Sequence, residues 1–382
     1  MGRPQLGSRL MRFKALEYAS HKFPALGRSI PFAHDVRFAI DVGQTVQTFT
    51  EEQDVVLTPA ESELAQRLPN PPRPHVRRDI ALLRLENVTV LGNTGRVIDE
   101  ARGVLLRSRL EVLAVEVNDF RAETSRAVAM PPANYVYFMG EHSGHAHFFH
   151  FLFDRLPRLF YLLERFSLGR EPLVILSNEN PPAFQRDIFG FVAAGYPNVQ
   201  FRKVPRRERW RLPHLLFIDD YNTTTRATFL APETLAWMRA RILEGYGLRP
   251  KAPHRRLYIN RGDARKRRLL NEGEVWPLFA ANRFDSVSAA NLSFREQAAM
   301  FSEAEAIAGP HGAGLSHILF APGVKTLEIF PLEKAFDIDY LYLTKAVGGT
   351  YDAVIGARGN RLGHFRIDPA EIVEALERLT LP

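Results

Sequence analysis

Between Ala304 and Pro331 the chain reads AEAIAGPHGAGLSHILFAPGVKTLEIFP: an apolar strand, a glycine-spaced turn, a short helix, and a second strand ending at an acid. That order admits few folds, because two apolar strands joined through a helical pattern form the repeating unit of a covered parallel sheet. Gly309, Gly312 and Gly314 permit positive φ angles and close backbone approach, and a helix start carries unpaired N–H groups and partial positive charge. The turn is expected to seat an anion, with phosphate the natural candidate.

The same rhythm runs through the second half of the chain. RRLYINR, a helix from Asn271 to Ala281, a strand over Phe284–Val287, the helix LSFREQAAMFSEA and the strand AIAG lead up to the glycine turn. The first half shows it from Tyr135, with NYVYFMG, an aromatic helix, PLVILS, a helix over Ala183–Ala194 and HLLFIDD. Strands alternating with helices predict an α/β chain built on parallel sheets. Upstream, NVTVLG, RVIDEARGVLL and EVLAVEV between Leu85 and Val117 predict a small antiparallel meander, and the stretch before Arg78 predicts loops and short elements. The polar stretch YNTTTRATFLAPE, a helix over Glu233–Glu244 and the connection RPKAPHRR mark the change-over. The chain is read as an N-terminal domain, 1–225, and a C-terminal domain, 226–382, with ligands expected beyond the carboxyl ends of the strands.

Composition narrows the chemistry. The 382 residues contain no cysteine, which removes disulfides, thiolate nucleophiles and cysteine metal sites together. The 50 basic residues, only eight of them lysine, outnumber 43 acids. Guanidinium forks of this kind suit phosphate and carboxylate oxygens. The first thirty residues lack the apolar core of a secretory signal and no run approaches the ~18 apolar residues of a membrane helix, so the expected location is cytoplasmic.

Three candidates fall at strand ends of the second half: Arg261 after LYIN, His311 after AIAGP and Glu328 within TLEIF. Arg261 opens the basic run RGDARKRR, which continues through Arg268. An imidazole at His311 can donate a hydrogen bond to a phosphate oxygen, and Glu328 could bond ribose hydroxyls. The first half supplies GEHSGHAHFFHFLFDRLPRLFYLLERF. At 100° per residue His147, His150, Asp154, Arg158 and Tyr161 fall within roughly 80° of one another, a narrow polar stripe on an otherwise apolar helix that Pro157 would interrupt or kink. Asp154 could act as a general base, or could orient His150 so that the imidazole does. The i, i+3 pairs His142/His145 and His147/His150 lack the acid of a zinc-helix motif, so no metal site is assigned. Asp337 and Asp339 in FDIDY form a carboxylate pair, but the segment reads equally well as a helix start and is not counted in the site.

These residues resemble glycosyltransferase family 61, the type often labelled capsular polysaccharide biosynthesis proteins in bacteria. The likeness rests on HFFHFLFDRLPRL, on RRLYINRGDARKRRLLNEGEV and on the block from Leu292 to Pro331. It implies a GT-B fold, two Rossmann-like domains facing across a cleft, and an inverting hexosyl- or pentosyltransferase with no metal or other cofactor generally required. Carried across, His311, Gly312, Ala313 and Gly314 match the glycine loop, Arg261 and Arg268 the basic segment after the first C-terminal strand, and Asn271 with Glu272 the opening of the next helix. Glu328 matches the strand-end acid, and His150 with Asp154 the N-terminal helix motif. His147 departs from the asparagine common there. The implied partners are a nucleotide-sugar donor, with a UDP-sugar first, a glycan acceptor, and peripheral association with a membrane polysaccharide-assembly system.

A non-catalytic glycan- or nucleotide-binding protein of the same fold is the rival reading, and intact His150, Asp154, Arg261 and His311 argue against it. A serine hydrolase is disfavoured because no GxSxG elbow accompanies HGAG. Nucleic-acid binding lacks a recognisable module.

Overall fold

The computed structural model describes residues 43–68, 71–92, 95, 97–99, 104–106, 126–139, 147–219, 230–262, 264–334 and 337–380. The expected strand EVLAVEV, His142 and His145, and most of YNTTTRATFLAPE lie outside them. The chain is mixed α/β, with two sheets that each contain parallel strands.

The first sheet begins with β1 (Gln44–Asp54), β2 (His75–Leu91), β3 (Val97–Asp99) and β4 (Val104–Leu106), each antiparallel to the strand it pairs with in that order. Over its first half β2 alternates exposed and buried residues, burying Val76, Arg78, Ile80 and Leu82, as a strand with one covered face requires. The expected meander is present in β2 to β4. The expectation of only short elements before Arg78 fails, because β1 pairs with β2 over its whole length.

The remaining strands are β5 (Arg126–Ala129), β6 (Asn134–Tyr137), β7 (Leu173–Asn178), β8 (Val199–Val204) and β9 (Glu208–Asp219). β6, β7 and β8 run parallel, while β9 is parallel to β5 and β6 and antiparallel to β2. HLLFIDD is thus the end of a longer strand that fuses the antiparallel and parallel parts into one sheet. Helix α1 (Pro59–Arg67) starts at a capping box in which Thr58 and Glu61 bond each other's backbone N–H.

The second sheet is wholly parallel, with β10 (Arg255–Ile259), β11 (Phe284–Val287), β12 (Ala304–Pro310), β13 (Lys325–Phe330) and β14 (Thr350–Ile355) in the order β11-β10-β12-β13-β14. Its central strands are buried almost continuously, because helices cover both faces. Tyr258, Ala306, Leu327 and Ile329 pack on one face with residues of Glu272–Ala281 and Pro369–Thr380. Leu257, Ile259 and Ile307 pack on the other with residues of Phe294–Ser302, the 3₁₀ helix Ala313–Phe320 and Asp339–Ala346.

That second face joins the first half in one apolar core. The shared wall is the aromatic helix, which is continuous over Phe148–Arg165 but contains two wide, π-type turns, Phe151–Arg155 and Tyr161–Arg165. Pro157 follows the first of them, where a widened turn accommodates its missing N–H and its ring. Helix Pro232–Gly245 packs alongside, with Trp237 against Phe160. No helix among the described residues is long and apolar enough to cross a membrane.

Candidate functional site

In the order β11-β10-β12 the chain reverses direction across the sheet between β10 and β12, which is where an open parallel sheet leaves a crevice beyond its strand ends. Arg261 follows β10 and His311 follows β12, so both stand at that point. Nη2 of Arg261 donates to the carbonyl of Lys266 at 3.1 Å, and its guanidinium lies against Gly312 so closely that a Cβ there would overlap it. The glycines are required by approach more than by left-handed geometry. Gly312 is extended (φ 163°), Gly314 lies in the 3₁₀ helix, and Gly309 (φ 158°) sits at the edge of the region that other residues avoid. A Cβ on Gly309 would come within 2.6 Å of the Ile259 carbonyl oxygen, and one on Gly314 within 2.7 Å of the Ile259 side chain.

The β12–β13 register sets Gly309 beside Glu328, and the strand carries His311 two residues further. The imidazole stacks on Phe330 with ring centroids 5.2 Å apart. Its Nδ1 lies 2.6 Å from Oε1 of Glu328, while the hydroxyl of Tyr351 on β14 donates to Oε2 at 2.7 Å. Burial raises the Glu328 carboxyl above its ordinary range, against the hydrogen bond and charge of His311 and the Tyr351 hydrogen bond. Glu328 is 0% exposed. Both its oxygens are engaged, so it orients His311 instead of presenting an oxygen to ribose.

Nε2 of His311 lies 3.6 Å from Oδ2 of Asp337, a residue the sequence reading set aside. The first-half helix meets the same place. Nδ1 of His150 lies 2.7 Å from Oδ2 of Asp154. The hydrogen bond to Asp154 raises the His150 pKa, burial opposes it, and the charges of Asp154 and Asp337 add to the rise. Asp337 therefore acts on both histidines, one from each half of the chain. His147 stacks against His150 with centroids 4.5 Å apart, and burial followed by the His150 charge lowers its pKa. Phe148 and Phe149 seat the helix against His317 and Tyr340 of the second half.

The polar stripe is shorter than helical periodicity predicts. His150 and Asp154 belong to it, but Arg158 is buried, and Tyr161 is wholly buried, its hydroxyl donating to Glu51 and accepting from Arg78. The wide turn at Phe151–Arg155 adds a residue to the helical turn and rotates everything after it off the original face.

Two other expected ligand contacts have partners within the chain. Asn271 is 4% exposed, donating to the Ile367 carbonyl at 2.8 Å and accepting from the Ile367 N–H at 3.2 Å. It clasps two segments instead of opening toward a ligand. Glu272 accepts from the Tyr258 hydroxyl at 2.9 Å. Arg268 donates from Nε to the Ala264 carbonyl at 2.5 Å but is otherwise exposed, and Ala313 and Gly314 begin the 3₁₀ helix, half-buried. Among the described residues no group of three or more His, Asp and Glu could hold a metal ion.

Asp337, Tyr351 and Glu61 are the members that sequence reasoning missed. FDIDY did signal Asp337. Glu61, 2% exposed, accepts from Lys345 Nζ at 2.8 Å and from the Tyr351 N–H at 2.8 Å, which ties α1 of the first half to the strand that supports Glu328.

No curated protein matches the chain. Residues 148–326 match the family described as Glycosyltransferase 61, a span that opens with the His150/Asp154 helix and closes on β13 after Arg261 and the glycine loop. Over these residues the chain is similar to glycosyltransferase family 61.

Proposed function

We propose that the protein is an inverting glycosyltransferase that moves a hexosyl or pentosyl unit from a nucleotide sugar, with a UDP-sugar first, to a hydroxyl of a glycan acceptor. The observation that carries this reading is the meeting of His150 and Asp154 from one half of the chain with His311 and Asp337 from the other, beside Arg261. The family match supports the reaction class. In this reading residues 1–225 form the acceptor side and residues 226–382 the donor side of a GT-B arrangement.

Inversion is a single in-line displacement: the acceptor oxygen forms a bond to the anomeric carbon as the bond to the departing diphosphate breaks, and a base takes the hydroxyl proton. His150 with Asp154 is that base pair, by either of its two members. Arg261, His311 and the Gly312–Gly314 backbone stabilise the charge that develops on the diphosphate, with Arg268 at the outer edge. Glu328 and Tyr351 hold the His311 ring so that Nε2 is turned away from the sheet. No metal is required in this scheme, since guanidinium and imidazole provide the positive charge. The enzyme works in the cytoplasm, peripheral to a membrane-bound polysaccharide assembly system.

The test is nucleotide release from a panel of nucleotide sugars with glycan acceptors. Arg261→Ala and His311→Ala are each expected to lower turnover on the order of 10²–10³-fold with the fold intact. Near wild-type turnover in both variants would remove the donor-site assignment.

A further inference from the structure

Bordering the site, two neighbouring loops and a turn form one surface with an unusual composition. Residues 264–270 read ARKRRLL and residues 356–366 read GARGNRLGHFR, seven cations and no acid between them. Hydrogen bonds lock the loops together: Arg267 N–H to the Leu362 carbonyl at 3.0 Å, Phe365 N–H to Arg268 at 3.1 Å, and Leu270 N–H to Phe365 at 2.7 Å. The turn at Leu332–Lys334 joins them through the Gly359 N–H, which donates to Glu333 at 2.9 Å.

Arg265, Lys266, Arg268, Arg358 and Arg361 are exposed on this surface, while Arg366 is paired with Glu274. Among them stand Leu270, Leu332 and Leu362, 53%, 44% and 49% exposed. These are three of the six large apolar side chains left exposed among the described residues. Cations alone would suit any polyanion. Leucines at the tips of basic loops add apolar area that gains nothing from a soluble polyanion but is favoured at a boundary of charged headgroups and acyl chains.

We propose that this surface docks the protein onto a bilayer containing anionic lipid, with the arginines on headgroup phosphates and Leu270, Leu332 and Leu362 entering the interface. The surface continues directly into Arg261, whose guanidinium bonds the Lys266 carbonyl of the same loop. Docking therefore brings the carboxyl ends of the second sheet close to the membrane, where a lipid-linked acceptor would present its glycan. The proposal stands on the surface itself. A failed docking result leaves the transferase reading intact, and the reverse also holds.

The experiment is co-sedimentation of the full chain with phosphatidylcholine vesicles, with and without phosphatidylglycerol. Binding is expected only with phosphatidylglycerol and falls as salt rises. Arg358→Gln combined with Arg361→Gln is expected to lower partitioning roughly 30-fold, since each surface cation contributes about fivefold. Leu362→Ser combined with Leu332→Ser is expected to weaken it further by a few-fold. The control pair Arg170→Gln with Arg249→Gln removes equal charge ahead of β7 and β10, away from this face, and should leave binding unchanged. Equal binding to both vesicle types overturns the proposal, as does an equal loss in the control pair. Unchanged vesicle binding in the double leucine variant, together with equally tight binding of inorganic polyphosphate, identifies a soluble-polyanion surface and overturns it too.

Discussion

Asp337 stands 3.6 Å from Nε2 of His311, so a carboxylate faces the side of an imidazole whose other nitrogen is already held by buried Glu328. This places an acid of the second half where its charge also reaches His150 of the first. In the transferase reading Asp337 holds the Nε2 side of His311 while its charge reaches the His150/Asp154 pair. Asp337→Asn is expected to lower kcat on the order of 10²-fold while thermal stability stays near wild type, measured by nucleotide release and thermal unfolding.

With His150 as the base of the pair, the pH dependence follows from its titration. Its pKa is raised, first by the hydrogen bond to Asp154, and a base must be neutral to accept a proton. Activity should therefore climb as pH rises through a value above the ordinary ~6.5 of histidine. Asp154→Asn removes the main cause of the rise, and Asp337→Asn a smaller one, so both should move that limb to lower pH. The linkage to folding has the corresponding sign: the stability contributed by cationic His150 is fully present below the unfolded-state value and is lost as pH rises through the folded-state one.

Two glycines of the loop should separate folding from function. Gly309→Ala pushes a Cβ to within 2.6 Å of a backbone carbonyl in the neighbouring strand, which cannot swing away, so a loss of about 1–3 kcal/mol in stability is expected. Gly312→Ala collides with the far end of the Arg261 side chain, which can move. That variant should fold normally and lose on the order of 10² in turnover because Arg261 is displaced. Chemical denaturation and nucleotide release measured on both variants check the pair.

Lys345→Met should unfold the protein more readily, acting through Glu61 instead of through a residue of the His150/His311 cluster. It leaves Glu61 buried opposite an apolar chain, and breaking one side of such a pair costs on the order of 3 kcal/mol. Denaturant midpoints compared with Glu61→Gln/Lys345→Met would show partial recovery, because the double variant buries no lone charge.

Much of this was legible in local pattern. Alternating strands and helices gave the α/β class, and the strand ends carrying Arg261 and His311 are where periodicity put them, because an apolar run bounded by glycine or polar residues leaves little freedom in its limits. The pairing of β2 with β9 was not legible, since nothing in either strand states which distant strand it will join or in which direction. The helix stripe failed after Asp154 for a local reason with a distant cause. A π turn is chosen by packing of both faces between two sheets, and a 3.6-residue period cannot report it.

The roles of acids divide the same way. A carboxylate within TLEIF was visible, but its complete burial was not, so Glu328 reads in the sequence as a ligand contact while in the structure its two oxygens are taken by His311 and Tyr351. Asn271 opens its helix as expected, yet its side chain is spent on Ile367, 96 residues away. The sequence by itself determined the chemistry available: no thiol, abundant guanidinium, a glycine loop with an imidazole, and a helix pairing His150 with Asp154. Only the tertiary structure decided which of these groups stand together. Burial set Glu328 and Tyr351 against His311, and the packing of the aromatic helix between two sheets put His150 within reach of the charge of Asp337, which stands beside His311. Contacts of this kind arise between residues far apart in the chain, where no local pattern records them.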